Sequence, residues 1–282
     1  MADDLAAAAV RNPVSALYDR LMWEPLTERF FGATDFFNWG YWPDGCASAA
    51  EACRNLVDRL VEPVRPGSEV LDVGCGKGAV ARHLLARHPV GAVTGIDLTD
   101  RQLERCRQNA PGASFRRMSA TALEFADGSF DDVLSIEAAF HFRDRRGFLA
   151  EAHRVLRPGG RLLASDVLNA APPAPADAAG GAGREGGRPS YQDWLRATEP
   201  PENYLDGPAA YAALLTGVGF RDVTVTDATQ RCAVPHFAQW ERFLGDLAEQ
   251  GQISEEDRLR RVSGLRSRLR SVRHYVLVTA VR

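Results

Sequence analysis

Gly74-Cys75-Gly76-Lys77-Gly78 follows directly on the apolar run Val70-Leu71-Asp72-Val73. Glycines at such a turn let the backbone fold tightly and let a ligand approach without interference from a Cβ. The spacing is G-x-G-x-G, not the G-x-G-x-x-G of dinucleotide-binding folds, and Lys77 is followed by Gly78 where a phosphate-binding loop needs Ser or Thr. Asp72 places a carboxylate beside the loop, suited to holding an ammonium group, directly or through water, or to fixing the loop backbone. Asp97 closes the next apolar run, 21 residues after Gly76, where a carboxylate can accept from both hydroxyls of a ribose. His141 follows a later apolar run, and an imidazole titrating near neutrality suits a general base. Asp166, at the end of a further run, is placed to orient or assist His141, or else to cap the turn that follows.

These residues need a parallel sheet to bring them together. Residues 47–60 read as an amphipathic helix, and Pro63, Pro66 and Gly67 then break the chain. Strands are expected at EVLDV, GAVTGID, SFRRM, FDDVLSI and RLLASDVL. Helices are expected between them at AVARHLLARH, at TDRQLERCRQNA with Thr99 or Asp100 as N-cap, and through RRGFLAEAHRVL, ended by Pro158-Gly159-Gly160. Strands alternating with helices mean an α/β sheet covered on both faces, with its ligand crevice at the carboxyl ends of the strands. Residues 170–189 are rich in Ala, Pro and Gly and read as a flexible insertion. A helix at 208–217, a strand RDVTVTD, a long helical region and a strand HYVLVTAV complete the pattern. The many arginines of 254–273 read as a solvated helix face, with an anion site as the sharper alternative.

The chain has 282 residues, 45% hydrophobic and 25% charged, with a net charge of −3. This is ordinary globular composition and excludes a collagen, a disordered chain or a disulfide scaffold. The charge balance argues against a nucleic-acid partner. Cys46, Cys53, Cys75, Cys106 and Cys232 are odd in number, widely spaced and free of any CxxC pair. They speak against a zinc site or a disulfide framework and for a reducing cytosol. The N-terminus lacks the basic and long apolar regions of a leader, and no apolar run approaches the ~18 residues of a membrane span. A cytoplasmic protein without metal or membrane partner is therefore expected, compatible with a homodimer or higher homo-oligomer. Nine of the 24 aromatics precede residue 45, among them Tyr18, Phe30, Phe31, Phe36, Phe37 and Trp39.

The stretches VLDVGCGKG, GIDL, LEFADGSFDDVLSIEAAFHF and RVLRPGGRLLASD, in this order across about residues 68–168, resemble the class I S-adenosylmethionine-dependent methyltransferases. FNWGYW and EAAFHFRDRRGFLAEAHRVLRPGG are similar to the small-molecule enzymes of natural-product pathways within that family. The resemblance implies a Rossmann-like sheet, mostly parallel with the last strand antiparallel. It divides the chain into a helical cap (1–60), a cofactor-binding core (61–168), a lid (169–205) and a segment completing the sheet (206–282). S-adenosyl-L-methionine is the implied cofactor. Gly74, Cys75 and Gly76 would line its methionine moiety, Asp97 and Gln102 its ribose, and Leu98 its adenine. Ser119-Ala120 stands where the family has Asp-Ala, leaving the Ala120 N–H to serve adenine. Ile136 and Glu137 would lie near the amino-acid end, with a salt bridge to an arginine as the alternative for Glu137. Tyr18 and Trp39 belong to a cap that lies near cofactor or acceptor, and 170–189 would act as a lid hinge.

The implied reaction is transfer of a methyl group to a hydrophobic small molecule, with His141 as the matching rim histidine and base for an oxygen nucleophile. His83, His88, His153, His236 and His274 read as structural. Two alternatives stand beside it. One is carbon methylation of a prenyl or terpenoid alkene, its diphosphate held by the C-terminal arginines. The other is a cyclase recruited from this fold. A nicotinamide oxidoreductase is disfavoured by the glycine spacing.

Overall fold

The structure, a computed structural model, describes residue 18 and residues 20–171 and 203–282. The expected insertion lies, from residue 172 on, outside the described residues, as do residues 1–17 of the expected cap.

The apolar runs form one sheet. Strand β1 (Glu69–Val73) lies at its centre, and Val70, Leu71, Asp72 and Val73 are all buried. Burying a side chain such as Leu71 contributes roughly 1.5–3 kcal/mol. β2 (Ala92–Asp97) and β3 (Ser114–Arg117) lie to one side, β4 (Phe130–Ile136) and β5 (Leu156–Asn169) to the other, all parallel. β7 (Val272–Val281) then runs antiparallel between β5 and β6 (Arg221–Asp227), giving the order β3-β2-β1-β4-β5-β7-β6. The winding reverses between β1 and β4, so a crevice opens where their carboxyl ends diverge. The mostly parallel sheet with an antiparallel last strand is as expected.

Helix α1 (Pro25–Phe30) and helix α2 (Ala49–Val61) come from the aromatic end of the chain. Ser48 caps α2 by accepting from Glu51 N, while Glu51 accepts from Ala47 N, a reciprocal cap that fixes the helix start. The α2 face bearing Ala52, Cys53, Leu56, Val57 and Leu60 is buried. Helices α3 (Ala79–Arg87), α4 (Asp100–Asn109) and α5 (Arg145–Val155) join the parallel strands. Helix α6 (Pro208–Val218) precedes β6, and α7 (Ala233–Glu249) and α8 (Glu255–Ser271) form the long helical region between β6 and β7.

Two local expectations change. Helix α5 ends at Val155, ahead of Pro158-Gly159-Gly160, and the fifth strand already begins at Leu156. The proline–glycine segment is a break in register opposite Phe130 and Asp132, where Gly159 turns with φ +79° and donates to Arg282 O. Thr99 holds the N-cap position of α4, but its side chain makes no cap bond; its backbone N–H and its hydroxyl are both turned to the Asp97 carboxylate.

Candidate functional site

The loop after β1 is shaped by backbone. Gly74 sits at φ +77°, and a Cβ there would meet the Ala138 Cβ at 2.5 Å, so only glycine fits between the β1 and β4 ends. Gly76 N donates to Asp97 Oδ2 at 3.1 Å, tying the loop to the end of β2, and Thr99 N donates to Oδ1 at 3.0 Å. With its NH2 turned toward Asp97, Gln102 reaches both carboxylate oxygens at 3.1 Å. Burial still outweighs these donors and pushes the Asp97 carboxyl up to about 6. Asp72 lies behind the loop, wholly buried, with Oδ2 unpartnered; burial and then the charge of Asp97 push it up to about 7.

A cavity of about 330 Å³ opens in front of this loop. Gly74, Gly76, Asp97, Leu98, Gln102, Ser119 and Ala120 line it. Four expected residues do not line it, Trp39 among them. The Cys75 side chain turns into the core, 3.8 Å from Cys106 Sγ. Asp72 lies beneath the loop, and Ile136 packs in the core between the sheet and the aromatic segment.

A second cavity, of about 1050 Å³, lies beside the first. Phe31, Trp39, Phe140, Phe237 and Trp240 are part of its wall, and Arg260, Arg261 and Arg268 of α8 also line it. Trp39, expected beside the cofactor, lines this larger cavity instead. It lies between the His236 ring, stacked at 5.7 Å, and the Arg268 guanidinium at 5.4 Å. Of the arginines on this cavity, Arg260 pairs with Asp257 and Arg261 with Glu24, and elsewhere on the arginine-rich face Arg258 pairs with Glu255 and Arg266 with Glu241.

Tyr18, Phe37, Glu137 and His141 line both cavities and so form the wall between them. His141 ends a single 3-10 turn, Ala139–His141, just past β4, and its Nε2 is hydrogen-bonded to Tyr18 OH. Burial, then the charges of Arg268 and Arg145, push its imidazole down to about 3. Glu137 has φ +53°, a left-handed conformation that costs a non-glycine residue about 1–2 kcal/mol. Its Oε1 accepts from Trp39 N at 2.6 Å and Tyr275 OH at 2.7 Å. No salt bridge to arginine, the alternative read from sequence, holds it among the described residues. Burial pushes its carboxyl up to about 8, against the two hydrogen bonds and the charge of Arg268.

Asp166 is fully buried and paired with Arg145 Nε at 2.9 Å, rather than facing either cavity. Arg145 N donates to Asn203 Oδ1, and Asn203 Nδ2 donates to Phe142 O, the residue after His141. Asp166 thus braces the segment that carries His141 from behind.

Residues 71–164 match the family model described as a methyltransferase domain. The erythromycin 3''-O-methyltransferase of Saccharopolyspora erythraea is 31% identical over 245 residues, covering 83% of this chain and 78% of that protein. The chain is a class I S-adenosylmethionine-dependent methyltransferase. The 27-O-demethylrifamycin SV methyltransferase of Amycolatopsis mediterranei is 40% identical over 143 residues, 48% of this chain and 52% of its own length. This methyltransferase therefore spans only about half the length of that relative. The crystal structure of the cyclase SpnF superposes with a TM-score of 0.69 at 22% identity, covering 95% of each chain, which shows a shared fold.

The small cavity of the methyltransferase fits its cofactor. A cradle that a single Cβ would fill and an acid at the end of β2 are the features a nucleoside with a methionine tail requires. An unpartnered buried carboxylate oxygen beneath the loop completes the set. Sequence reasoning missed His236 and Trp240 of the larger cavity, while Arg268 belongs to the arginine run read as a solvated face or an anion site. His236 read as structural; its ring stacks on Trp39, and burial pushes it down to about 3. The available signal was the α7 stripe His236, Phe237, Trp240, Phe243, Leu244, an aromatic face richer than one helix needs for its own packing.

Proposed function

We propose that this methyltransferase transfers a methyl group to a hydroxyl of a bulky, largely apolar small molecule, with His141 as the base. The observation that carries the reading is the wall shared by the two cavities, where an imidazole faces both the cofactor side and a large aromatic chamber. The relative named erythromycin 3''-O-methyltransferase supports transfer to oxygen and an acceptor from natural-product biosynthesis.

Gly74, Gly76, Asp97, Leu98, Gln102, Ser119 and Ala120 would hold S-adenosylmethionine, which supplies a methyl group already activated on a sulfonium. Tyr18 and Phe37 screen the wall from water. His141 is neutral at physiological pH, since burial and two nearby arginines oppose its protonation, so an Nε2 lone pair can accept a proton. As the O–C bond forms, the hydroxyl proton becomes strongly acidic, and an imidazole of low basicity suffices to take it. Tyr18, bonded to the same nitrogen, either yields to the acceptor hydroxyl or relays its proton. Glu137 orders the wall by fixing Trp39 N and Tyr275 OH.

A second reading, carbon methylation of a prenyl diphosphate, is favoured by the aromatic walls and by Arg260, Arg261 and Arg268 on the same chamber. Incubation with methyl-labelled cofactor and a panel of polyhydroxylated macrolides, phenols and prenyl diphosphates, read by mass spectrometry, decides between them. Label on oxygen is expected; label on carbon would establish the second reading. Acceptor turned over without release of S-adenosylhomocysteine would point to a cyclase.

A further inference from the structure

Asp58, His83 and His88 meet on the molecular surface and line neither cavity. Asp58 stands on α2, His83 on α3, and His88 directly after α3. Both imidazoles present the same ring atom to the same oxygen: His83 Nε2 lies 2.5 Å, and His88 Nε2 3.4 Å, from Asp58 Oδ1. The three atoms all lie within 4.8 Å of one another. An ordinary ion pair needs one imidazole; two converging on one carboxylate oxygen make a donor set of two nitrogens and one oxygen.

We propose that Asp58, His83 and His88 bind one divalent transition-metal ion, of the zinc class, as a clamp between α2 and α3. Bonds of about 2.0–2.1 Å to a tetrahedral ion place neighbouring donors roughly 3.3 Å apart. The two distances at Asp58 bracket that value, so rotation of its half-exposed side chain can open the pair to admit an ion. His83 is 7% exposed and packs edge-on against Phe36, which fixes its ring. His88 is 24% and Asp58 53% exposed, which leaves a path for the ion and room for water to complete its coordination. Two imidazoles with a single carboxylate select zinc, nickel, cobalt or copper over magnesium and calcium, which prefer oxygen-only sites. Because α2 belongs to the segment packed over the sheet and α3 to the cofactor-binding core, the ion would pin one to the other.

The test uses untagged full-length protein, stripped with a chelator and titrated with zinc chloride in a calorimeter. Cobalt(II) is used in parallel for its visible absorption. One zinc per chain is expected, with a cobalt band of low-coordinate type and a melting temperature that rises with zinc. His88→Ala leaves the His83–Asp58 pair in place, so the metal-free melting temperature should hardly move. Its zinc affinity should fall by about two orders of magnitude, and Asp58→Asn should behave alike. Binding of S-adenosylhomocysteine should stay within twofold in both variants. Failure to bind zinc saturably at one per chain, or equal zinc affinity in wild type and His88→Ala, overturns the proposal. Neither result bears on where the methyl group goes.

Discussion

The two cavities share a wall but are built in opposite ways. The smaller closes around backbone turns at the ends of β1, β2 and β4, where Gly74 admits no side chain and Gly76 N and Thr99 N hold one carboxylate, with larger side chains such as Met22, Met118 and Phe142 completing it. The larger is made of side chains, with aromatic rings and arginines prominent among them, drawn from α1, α7, α8, the turn after β4 and the segment before α2. Backbone geometry tolerates almost no variation, whereas an aromatic wall can be re-papered residue by residue. One cofactor and many acceptors are what such a division accommodates.

The largest expected effect lies in the cradle. Gly74→Val combines a left-handed backbone with a clash against Ala138. Together these cost on the order of 2–5 kcal/mol. Calorimetry should find S-adenosylhomocysteine binding weakened by about 100-fold or lost, and near-normal binding would show the cradle is softer than its geometry implies. At the shared wall, His141→Ala should lower turnover by at least about tenfold, in line with the loss of a general base. Its affinity for S-adenosylhomocysteine should be kept; unchanged turnover would remove His141 from the chemistry. Within the chamber, Trp240→Leu removes a ring stacked 3.8 Å from Phe30. Acceptor KM should rise roughly tenfold with cofactor affinity unmoved, and a parallel loss of both would show that the cavities are not independent.

The smallest effect concerns stability at the wall. Burial raises the folded-state pKa of Glu137 from 4.5 to about 8, so the folded protein holds a proton there that the unfolded chain releases. This carboxyl therefore costs nothing below pH 4.5 and increasingly destabilises the protein as pH climbs toward about 8. Glu137→Gln keeps an oxygen for Trp39 N and Tyr275 OH and removes the titration. Its advantage in thermal melts should widen over that range to on the order of 1–3 kcal/mol and vanish near pH 4.5. A gap independent of pH would show that Glu137 is not buried in the way described.

The same contrast explains what could be read from the sequence. Gly74, Gly76, Asp97 and Leu98 sit in two short strand–loop–helix units, where local patterning places them without knowledge of the rest. The chamber draws Phe31 and Trp240 from positions far apart in the chain, and nothing local distinguishes His236 on α7 from an ordinary core histidine. Asp166 looked like a rim acid because it follows an apolar run; its neutralisation by Arg145 depends on a contact between β5 and α5 that patterning does not report. Trp39 lies in the aromatic segment, but the side its ring takes goes with a contact patterning does not report, its backbone N–H held by the Glu137 carboxylate.

The insertion of β7 between β5 and β6 has a bearing on how the protein is made. β5 pairs from Arg161 to Asn169 with residues 272–281, about a hundred positions downstream. Until those residues emerge, at ~5–20 residues per second, β5 presents an unpaired edge. Val167 and Leu168 on that strand are wholly buried in the finished sheet, so the waiting edge is apolar as well as unpaired. Edges of that kind recruit other strands. The nascent chain thus carries this edge for several seconds until β7 arrives, and the strand that covers it also brings the Tyr275 hydroxyl to Glu137.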